Sequence, residues 1–252
     1  MQIDGQVAIV TGGARGLGGA TAAHLAALGA KVAVLDYDAE GAQAAADKIG
    51  GAGFGVDVRD AAAVEAVVDQ VADTLGAARV VVNCAGIADA ARIVGRDGAT
   101  SVDLFRRVIE VNLIGSYTVA SFAVKHMMDL EPLDGERGVV INTSSVAYED
   151  GQMGQSAYAA SKGGIAGMTL PLARELARPG IRVMAIAPGL FRTPMMESLP
   201  DEVTEKITAN IPFPARLGDP NEFARLAADI VGNSYLNGSV IRLDGAVRLP
   251  PK

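Results

Sequence analysis

Tyr158 and Lys162 stand four residues apart in a segment with helical period, a spacing that puts both side chains on one face. A free phenol has a pKa near 10, so roughly one in a thousand is ionised at pH 7. A neighbouring ammonium favours the phenolate. Lowering that pKa by about 3 units takes roughly 4 kcal/mol of differential interaction and makes the phenol a competent general base near neutral pH. The same spacing also describes a half-buried aromatic beside a lysine that lays its stem along it. Ser144 and Ser145 lie 14 and 13 residues upstream of Tyr158, at the end of the run Val139–Thr143. A hydroxyl at a strand's carboxyl end can orient a substrate hydroxyl or carbonyl; taken alone, these serines are turn formers.

A second group of residues has the makings of a phosphate site. The first β-branched run ends in Thr11-Gly12-Gly13-Ala14-Arg15-Gly16-Leu17-Gly18, and a helical stretch follows directly. Glycine lets the backbone turn sharply and approach a pyrophosphate, and a helix N-terminus offers unpaired N–H groups. The spacing is G-x-x-x-G-x-G rather than G-x-G-x-x-G, with Gly12, Gly16 and Gly18 as its glycines and Arg15 and Leu17 between them. The run Lys31–Leu35 then ends at Asp36. An acidic residue about 20 positions beyond such glycines is placed to bond the adenosine ribose hydroxyls. A carboxylate there repels a 2′-phosphate and so predicts NAD rather than NADP as the cofactor. The competing reading of Asp36 is a solvated turn residue, and Arg15 is a cation that a 2′-phosphate would accept. With NAD bound, Lys162 and the positive nicotinamide together supply the charge that Tyr158 needs.

These residues have to be positioned by the elements around them. Short β-branched runs alternate with alanine-rich helical stretches. The runs are Val7–Val10, Val32–Leu35, Val80–Val82, Val139–Ile141, Arg182–Ile186 and Val240–Leu243, with Phe54–Val58 a weaker seventh. The helical stretches include Leu17–Leu28, Ala61–Leu75 and Tyr158–Leu176. The alternation predicts an α/β fold, a Rossmann-like, doubly wound parallel sheet of about seven strands with helices on both faces. No linker or composition break divides residues 1–252, so one domain is expected, with a substrate lid at about 190–218. That stretch and the Gly95–Ser101 loop both follow strand carboxyl ends, where ligands sit in open α/β sheets.

Net charge is −7, which argues against nucleic acid as the partner, because phosphate backbones need clustered Lys and Arg. The single cysteine, Cys84, rules out an intramolecular disulfide and fits a reducing compartment. No signal-peptide pattern opens the chain and no apolar run nears 18 residues, so a cytoplasmic protein without membrane spans is expected. His24 and His126 sit in helical stretches far from the motifs, and no metal-ligand spacing is present.

Taken together the motifs resemble the short-chain dehydrogenases/reductases along nearly the whole chain. They stand in order: Thr11-Gly12-x-x-x-Gly16-x-Gly18, Asp57-Val58, Asn83-Cys84-Ala85-Gly86, Asn112, Ser145, Tyr158-x-x-x-Lys162, Pro188-Gly189 and Thr193. The resemblance implies a role for each. Tyr158 is the acid/base, and Lys162 lowers its pKa and holds the nicotinamide ribose. Ser145 polarises the substrate oxygen, and Ser144 is structural. Asn112 anchors a water that relays protons to Lys162, or is simply a polar residue that kinks its helix. Asp57 and Val58 flank the adenine. Asn83, Cys84, Ala85 and Gly86 support the cofactor's middle, with Cys84 in packing rather than as a nucleophile. Pro188, Gly189, Phe191 and Thr193 close over the nicotinamide.

A narrower likeness is to the type II 3-hydroxyacyl-CoA dehydrogenases. It rests on Gly151–Tyr158, Ser161–Ile165, Ala187–Phe191, Pro212–Pro220 and Leu236–Ala246. It implies NAD-linked oxidation of an acyl-CoA 3-hydroxyl in fatty-acid metabolism, a homotetramer, and Gln155 beside Ser145 and Tyr158 at the substrate. A hydroxysteroid or other small secondary alcohol is the alternative substrate, and an NAD-binding regulator the alternative outside enzymes. Phe191, Met195, Met196, Leu199 and Phe213 either line an apolar substrate site or form the core under the lid. No basic patch for a CoA diphosphate can be located in the sequence. Arg192, next to Phe191, either alters the pocket or points to solvent.

Overall fold

The computed structural model describes residues 1–193 and 208–251. Met195, Met196 and Leu199 lie outside the described residues. The elements run β1 (Val7–Thr11), α1 (Gly16–Ala27), β2 (Lys31–Asp36), α2 (Ala39–Ile49), β3 (Ala52–Gly55) and α3 (Ala61–Leu75). There follow β4 (Val80–Asn83), α4 (Val102–Ile109), a π-helical turn (Glu110–Ile114), α5 (Gly115–Met128) and β5 (Gly138–Thr143). A 3-10 turn (Val146–Tyr148), α6 (Ser156–Glu175), β6 (Ile181–Pro188), α7 (Pro220–Gly232) and β7 (Val240–Leu243) complete the described part.

All seven strands pair in parallel, in the order β3-β2-β1-β4-β5-β6-β7. The alternation of apolar runs and helices predicts this sheet, because parallel strands need helical crossovers on their faces. Successive strand side chains point to opposite faces, and two cores result. Ile9, Leu35, Val81, Val140 and Val183 pack with Val64, Val68 and Val71 of α3 and Val119, Ala123 and Met127 of α5. Val10, Val34, Val82, Ile141 and Ile186 pack with Leu25 of α1, Ala46 of α2 and Phe223, Ile230 and Val231 of α7. Asp38, Asp60 and Asp219 cap α2, α3 and α7 through their side chains.

The third strand departs from its predicted bounds. It occupies Ala52–Gly55, earlier than the run Phe54–Val58, and its sequence AGFG has no β-branched residue. Packing explains the glycines. A Cβ on Gly53 would lie 2.5 Å from the Gln43 backbone, and one on Gly55 2.5 Å from the Ala39 Cβ, so α2 lies directly against this strand. Val56 N–H still donates to the Asp36 carbonyl at 2.8 Å before the chain turns away.

The strand order reverses between β1 and β4, since β2 follows to one side and β5 to the other. The crevice beyond the carboxyl ends of β1 and β4 is therefore the switch point where open α/β sheets bind ligands.

Candidate active site

A cleft of about 480 Å³ opens at that switch point. Gly12, Arg15, Asp36, Asp57, Val58, Cys84, Ala85 and Gly86 are among its lining residues. Gly12 and Gly16 both have positive φ, +61° and +60°, so the loop turns tightly. A Cβ on Gly12 would come within 2.8 Å of the Ala85 nitrogen. The loop and the β4 turn are thus pressed together, and Thr11 clasps them: its hydroxyl oxygen accepts the Cys84 and Ala85 N–H groups, both at 3.1 Å. Asp36 fixes the other side of the loop. Its carboxylate accepts the Ala14 N–H at 3.1 Å and the Asp38 N–H at 3.1 Å. Arg15, at the N-cap of α1, makes no side-chain capping bond, and the first turn of α1 carries no acidic residue. Unlike α2, α3 and α7, this helix leaves its N-terminal amides for an anion. The cradle therefore fits a dinucleotide's pyrophosphate.

Arg59 lines the same cleft and is bound to Asp57, donating from Nε at 3.0 Å and from Nη2 at 2.6 Å. The guanidinium holds the Asp57 carboxyl below the usual carboxylate range. Arg107 and Asp89 pair at 2.6 Å among the residues that line it.

The cleft runs to the proton-handling side chains. A Cβ on Gly86 would lie 3.1 Å from Asn112 Oδ1 and 3.7 Å from Lys162 Nζ. Lys162 is buried in α6, where its Nζ donates to the Thr143 carbonyl at 2.7 Å and lies 5.6 Å from the Tyr158 ring centre. Ser144 Oγ donates to the Lys162 carbonyl at 2.9 Å and so ties the end of β5 to α6. Ser145 Oγ accepts the Ala147 N–H at 3.2 Å and pairs with the Tyr158 phenol, so the two hydroxyls face one space. Asn112 is fully buried in the π-helical turn. Its Oδ1 accepts the Ile87 N–H at 2.8 Å, and its Nδ2 donates to the Ile87 carbonyl at 2.9 Å and to Ser161 Oγ at 3.0 Å. Both ends of the amide are spent on protein groups. Gln155 stands at the start of α6 with Oε1 accepting the Gln152 N–H at 3.2 Å.

Burial dominates the acid–base balance. It pushes the Tyr158 phenol up, while the Ser145 hydroxyl, a hydrogen bond partner of the phenolate, pulls it down. Lys162 is pushed down to about 8 by burial. Its ammonium is tethered to the Thr143 carbonyl at 2.7 Å, on the same helix face as the phenol. Burial raises the Cys84 thiol to about 11, which agrees with a packing part for that residue.

The structure separates the apolar residues grouped in the sequence. Phe191 is buried edge-on against Phe223, with ring centres 6.5 Å apart, and stacks under Gly218, so its ring belongs to the core. Phe213 is 82% exposed. Pro188 ends β6, and Gly189 N–H donates to the Leu243 carbonyl at 2.9 Å. Thr193 follows half-buried, and Arg192 is exposed. A separate hollow of about 330 Å³ gathers Arg192, Arg216 and Arg225, which the sequence scatters, although Asp219 and Glu222 line it too. His126 pairs with Asp69 at 2.7 Å. Arg59, Ser161 and Ile87 are site residues that sequence reasoning missed, and Thr11, part of the glycine motif, had no role assigned there. Among the described residues, no group of three or more His, Cys, Asp or Glu is placed to hold a metal ion, and no helix is long and apolar enough to cross a membrane.

A glycine cradle at the switch point, beside a Ser-Tyr-Lys cluster whose serine and lysine are buried, defines an oxidoreductase that binds a nicotinamide dinucleotide, NAD(P). The chain belongs to the short chain dehydrogenase family, whose sequence pattern matches residues 6–204. It is 49% identical to the Bos taurus 3-hydroxyacyl-CoA dehydrogenase type-2, over 99% of this chain and 97% of that one. The human (3R)-3-hydroxyacyl-CoA dehydrogenase is 36% identical over 96% of this chain and 95% of its own. The crystal structure of 3-hydroxyacyl-CoA dehydrogenase type-2 from Mycobacterium avium superposes with a TM-score of 0.94 at 45% identity, covering 98% of each chain.

Proposed function

We propose that the protein is a cytoplasmic, NAD-dependent dehydrogenase that oxidises the 3-hydroxyl of an acyl-CoA thioester to a ketone. The observation that carries this reading is the end-to-end likeness to dehydrogenases named for that substrate, at 45% identity and a TM-score of 0.94 for the solved one. Asp36 supports NAD over NADP, because its carboxylate borders the cleft where an adenosine 2′-phosphate would have to sit.

The residues divide the work as follows. Gly12, Gly16, Leu17 and Gly18 with Arg15 hold the pyrophosphate. Asp36, Asp57 and Val58 hold the adenosine, and Asn83, Cys84, Ala85 and Gly86 support the middle of the cofactor. Pro188, Gly189, the Phe191 backbone and Thr193 form the wall beside the nicotinamide. Bound NAD supplies the hydride acceptor and a positive charge near the phenol. Ser145 turns its hydroxyl hydrogen to the substrate oxygen, and Gln155 borders the same space. Tyr158 takes the hydroxyl proton as the alcohol becomes a ketone. Lys162 holds the nicotinamide ribose and adds its charge to the site. Asn112 keeps Ile87 and Ser161 in place. A relay water at Asn112 would take the second acceptor position of its main-chain carbonyl, which already holds the Ser116 hydroxyl at 2.7 Å, or of its Oδ1.

A homotetramer accompanies this reading. Val102 and Phe105 on α4, and Ile114, Tyr117 and Met128 along the π-helical turn and α5, are all exposed and suit contact with another copy. The test is NADH formation against a panel of 3-hydroxyacyl-CoAs, hydroxysteroids and small secondary alcohols. Best turnover with a 3-hydroxyacyl-CoA is expected. A steroid as the best substrate, or NADP serving as well as NAD, overturns the corresponding part.

A further inference from the structure

Arg242 lies on β7, at the far edge of the sheet from β3, inside the Leu236–Ala246 stretch but with no role assigned to it above. Its side chain is only 16% exposed and nearly all its donors are occupied. Nη1 donates to Glu149 Oε2 at 2.6 Å, and Nη2 to Asp150 Oδ2 at 2.7 Å and to the Val247 carbonyl at 3.1 Å. Nε donates to Asp244 Oδ2 at 2.9 Å. One guanidinium thus gathers three carboxylates from two loops, in a geometry that a lysine's single point charge does not reproduce.

Those loops matter because of what they carry. Glu149 and Asp150 sit in the connection between Ser145 and Tyr158, directly after the 3-10 turn that Ser145 caps. The chain beyond β7 holds the same connection a second time: Gln152 Nε2 donates to the Pro250 carbonyl at 3.0 Å and Met153 N–H to the Pro251 carbonyl at 3.0 Å. On its other side Asp244 backs onto the turn after β6. A Cβ on Gly189 would lie 2.8 Å from the Asp244 Cα. Arg242 is therefore the joint between the Ser145–Tyr158 connection and the Pro188-Gly189 turn. Without it, Glu149 and Asp150 lose the cation they share with Asp244, which keeps only Arg248 at 3.1 Å, and the two loops lose their common tie.

We propose that Arg242 is a positioning residue for the reaction: it sets the placement of Ser145 relative to Tyr158 through the 146–155 connection, and so controls the chemical step rather than cofactor binding. The proposal rests on the assignment of Ser145 and Tyr158 above. The glycine cradle lies beyond β1 and β4 and shares none of these bonds, and Asp244 meets the nicotinamide wall only at Gly189, so the dinucleotide affinity should shift far less than kcat.

The experiment compares wild type, Arg242→Met and Arg242→Lys for kcat per cofactor-binding site, KM for the best alcohol, and Kd for NADH by fluorescence titration. Displacement of a reacting group by about 1 Å can cost about a hundredfold in rate, and a smaller displacement less. Arg242→Met should lose kcat on that scale with the NADH Kd within about twofold of wild type, and Arg242→Lys should recover only part. Unchanged kcat per binding site, with loss only in the amount of folded protein, overturns the proposal and leaves Arg242 a stabilising residue. If the methionine variant does not bind NADH at all, Asp150→Asn decides. It removes one charge partner, keeps the shape, and should lower kcat by about three- to tenfold at constant NADH Kd. Wild-type kcat in that variant is the overturning result. Wild-type turnover in the same assay tests the Tyr158 reading separately, since its absence sinks that reading whatever Arg242 does.

Discussion

Lys162 reaches the Thr143 carbonyl at 2.7 Å, while its ammonium stays 5.6 Å from the centre of the Tyr158 ring. The cation that should activate the phenol is thus moored to the end of β5. Burial acts on both groups in opposite senses. It raises Tyr158, whose charged form is an anion, and brings Lys162, whose charged form is a cation, down to about 8.

A pH profile follows from these signs. Alcohol oxidation needs the Tyr158 phenolate, and its raised pKa keeps that form scarce at neutral pH. The oxidation rate should climb with pH through neutrality, by up to about tenfold per unit where the phenol is mostly protonated. Above about pH 8 Lys162 gives up its charge, so the climb should flatten there. Ketone reduction, which needs the protonated phenol, should fall with pH instead. Steady-state rates in both directions from pH 6 to 10 check this; profiles of the same slope in the two directions contradict it.

Lys162 sets activity against stability. Its folded pKa, about 8, lies below the ordinary 10.5, so the folded state prefers the neutral amine. The charge therefore costs stability in full below about pH 8, and the cost fades as pH rises from 8 toward 10.5. The difference corresponds to about 3 kcal/mol, against about 1 kcal/mol for the lost hydrogen bond to Thr143. Lys162→Met should therefore stabilise the fold by about 2 kcal/mol at pH 7, with most of that gain gone by pH 10, while turnover collapses. Urea denaturation at the two pH values is the measurement, and a loss of stability at pH 7 is the contrary result.

Tyr158→Phe removes the proton carrier and little else. The ring stays, Lys162 keeps its bond to Thr143, and the glycine cradle lies at the other end of the cleft. NADH binding should remain near wild type while kcat falls at least about a hundredfold, the lower range for loss of a general base. Single-turnover rates beside NADH titration separate the two effects. Near-normal turnover would mean that another group moves the proton.

The strand–helix alternation was legible in the sequence wherever strands are β-branched, as at Val80–Val82 and Val139–Ile141. It blurred at β3, where Gly53 and Gly55 answer to the closeness of α2 and not to strand propensity. Ser145, Tyr158 and Lys162 were legible because helix spacing and one strand end suffice to relate them. Thr11 was not: a threonine before a glycine loop carries no sign that its hydroxyl will hold two amides of a turn more than 70 residues later. Arg59 was hidden for the same reason, since only the fold brings Asp36, Arg15 and the Asp57–Arg59 pair into one cleft. Phe191 shows the converse. Sequence leaves its ring between pocket and core, and the long-range partner Phe223 decides for core.

Asp36 should govern the choice between cofactors. Arg59 is engaged by Asp57 and Arg107 by Asp89, so among the described residues Arg15 is the lining cation that no carboxylate pairs. Replacing the carboxylate by Asp36→Ser removes the repulsion of a 2′-phosphate and exposes it to Arg15. The ratio of kcat/KM for NAD over NADP should fall by about tenfold or more, an electrostatic change of roughly 1.4 kcal/mol. Affinity for NAD should weaken as well, because the Ala14 N–H loses its acceptor at 3.1 Å. An unchanged ratio would assign the discrimination elsewhere.

Asn112 offers a test that separates its two halves. Its Oδ1 accepts from Ile87, and its Nδ2 donates to the Ile87 carbonyl and to Ser161. Asn112→Asp keeps an acceptor for the Ile87 N–H but turns a donor into a second acceptor, set against the Ile87 carbonyl in a fully buried site. A buried carboxylate facing a carbonyl costs more than a missing bond. Asn112→Ala merely leaves the Ile87 groups and Ser161 short of a partner, at about 2 kcal/mol in all. The aspartate variant should therefore be the less stable of the two at pH 7, and should recover toward the alanine variant as the solution is acidified and its carboxyl gains a proton to donate. Both should slow turnover, since Ser161 precedes Lys162 and Ile87 follows Gly86 at the end of the cleft. Melting curves of the two variants at pH 5 and pH 7 decide it: an aspartate variant as stable as wild type at pH 7 would mean that the donor half of the clasp does nothing.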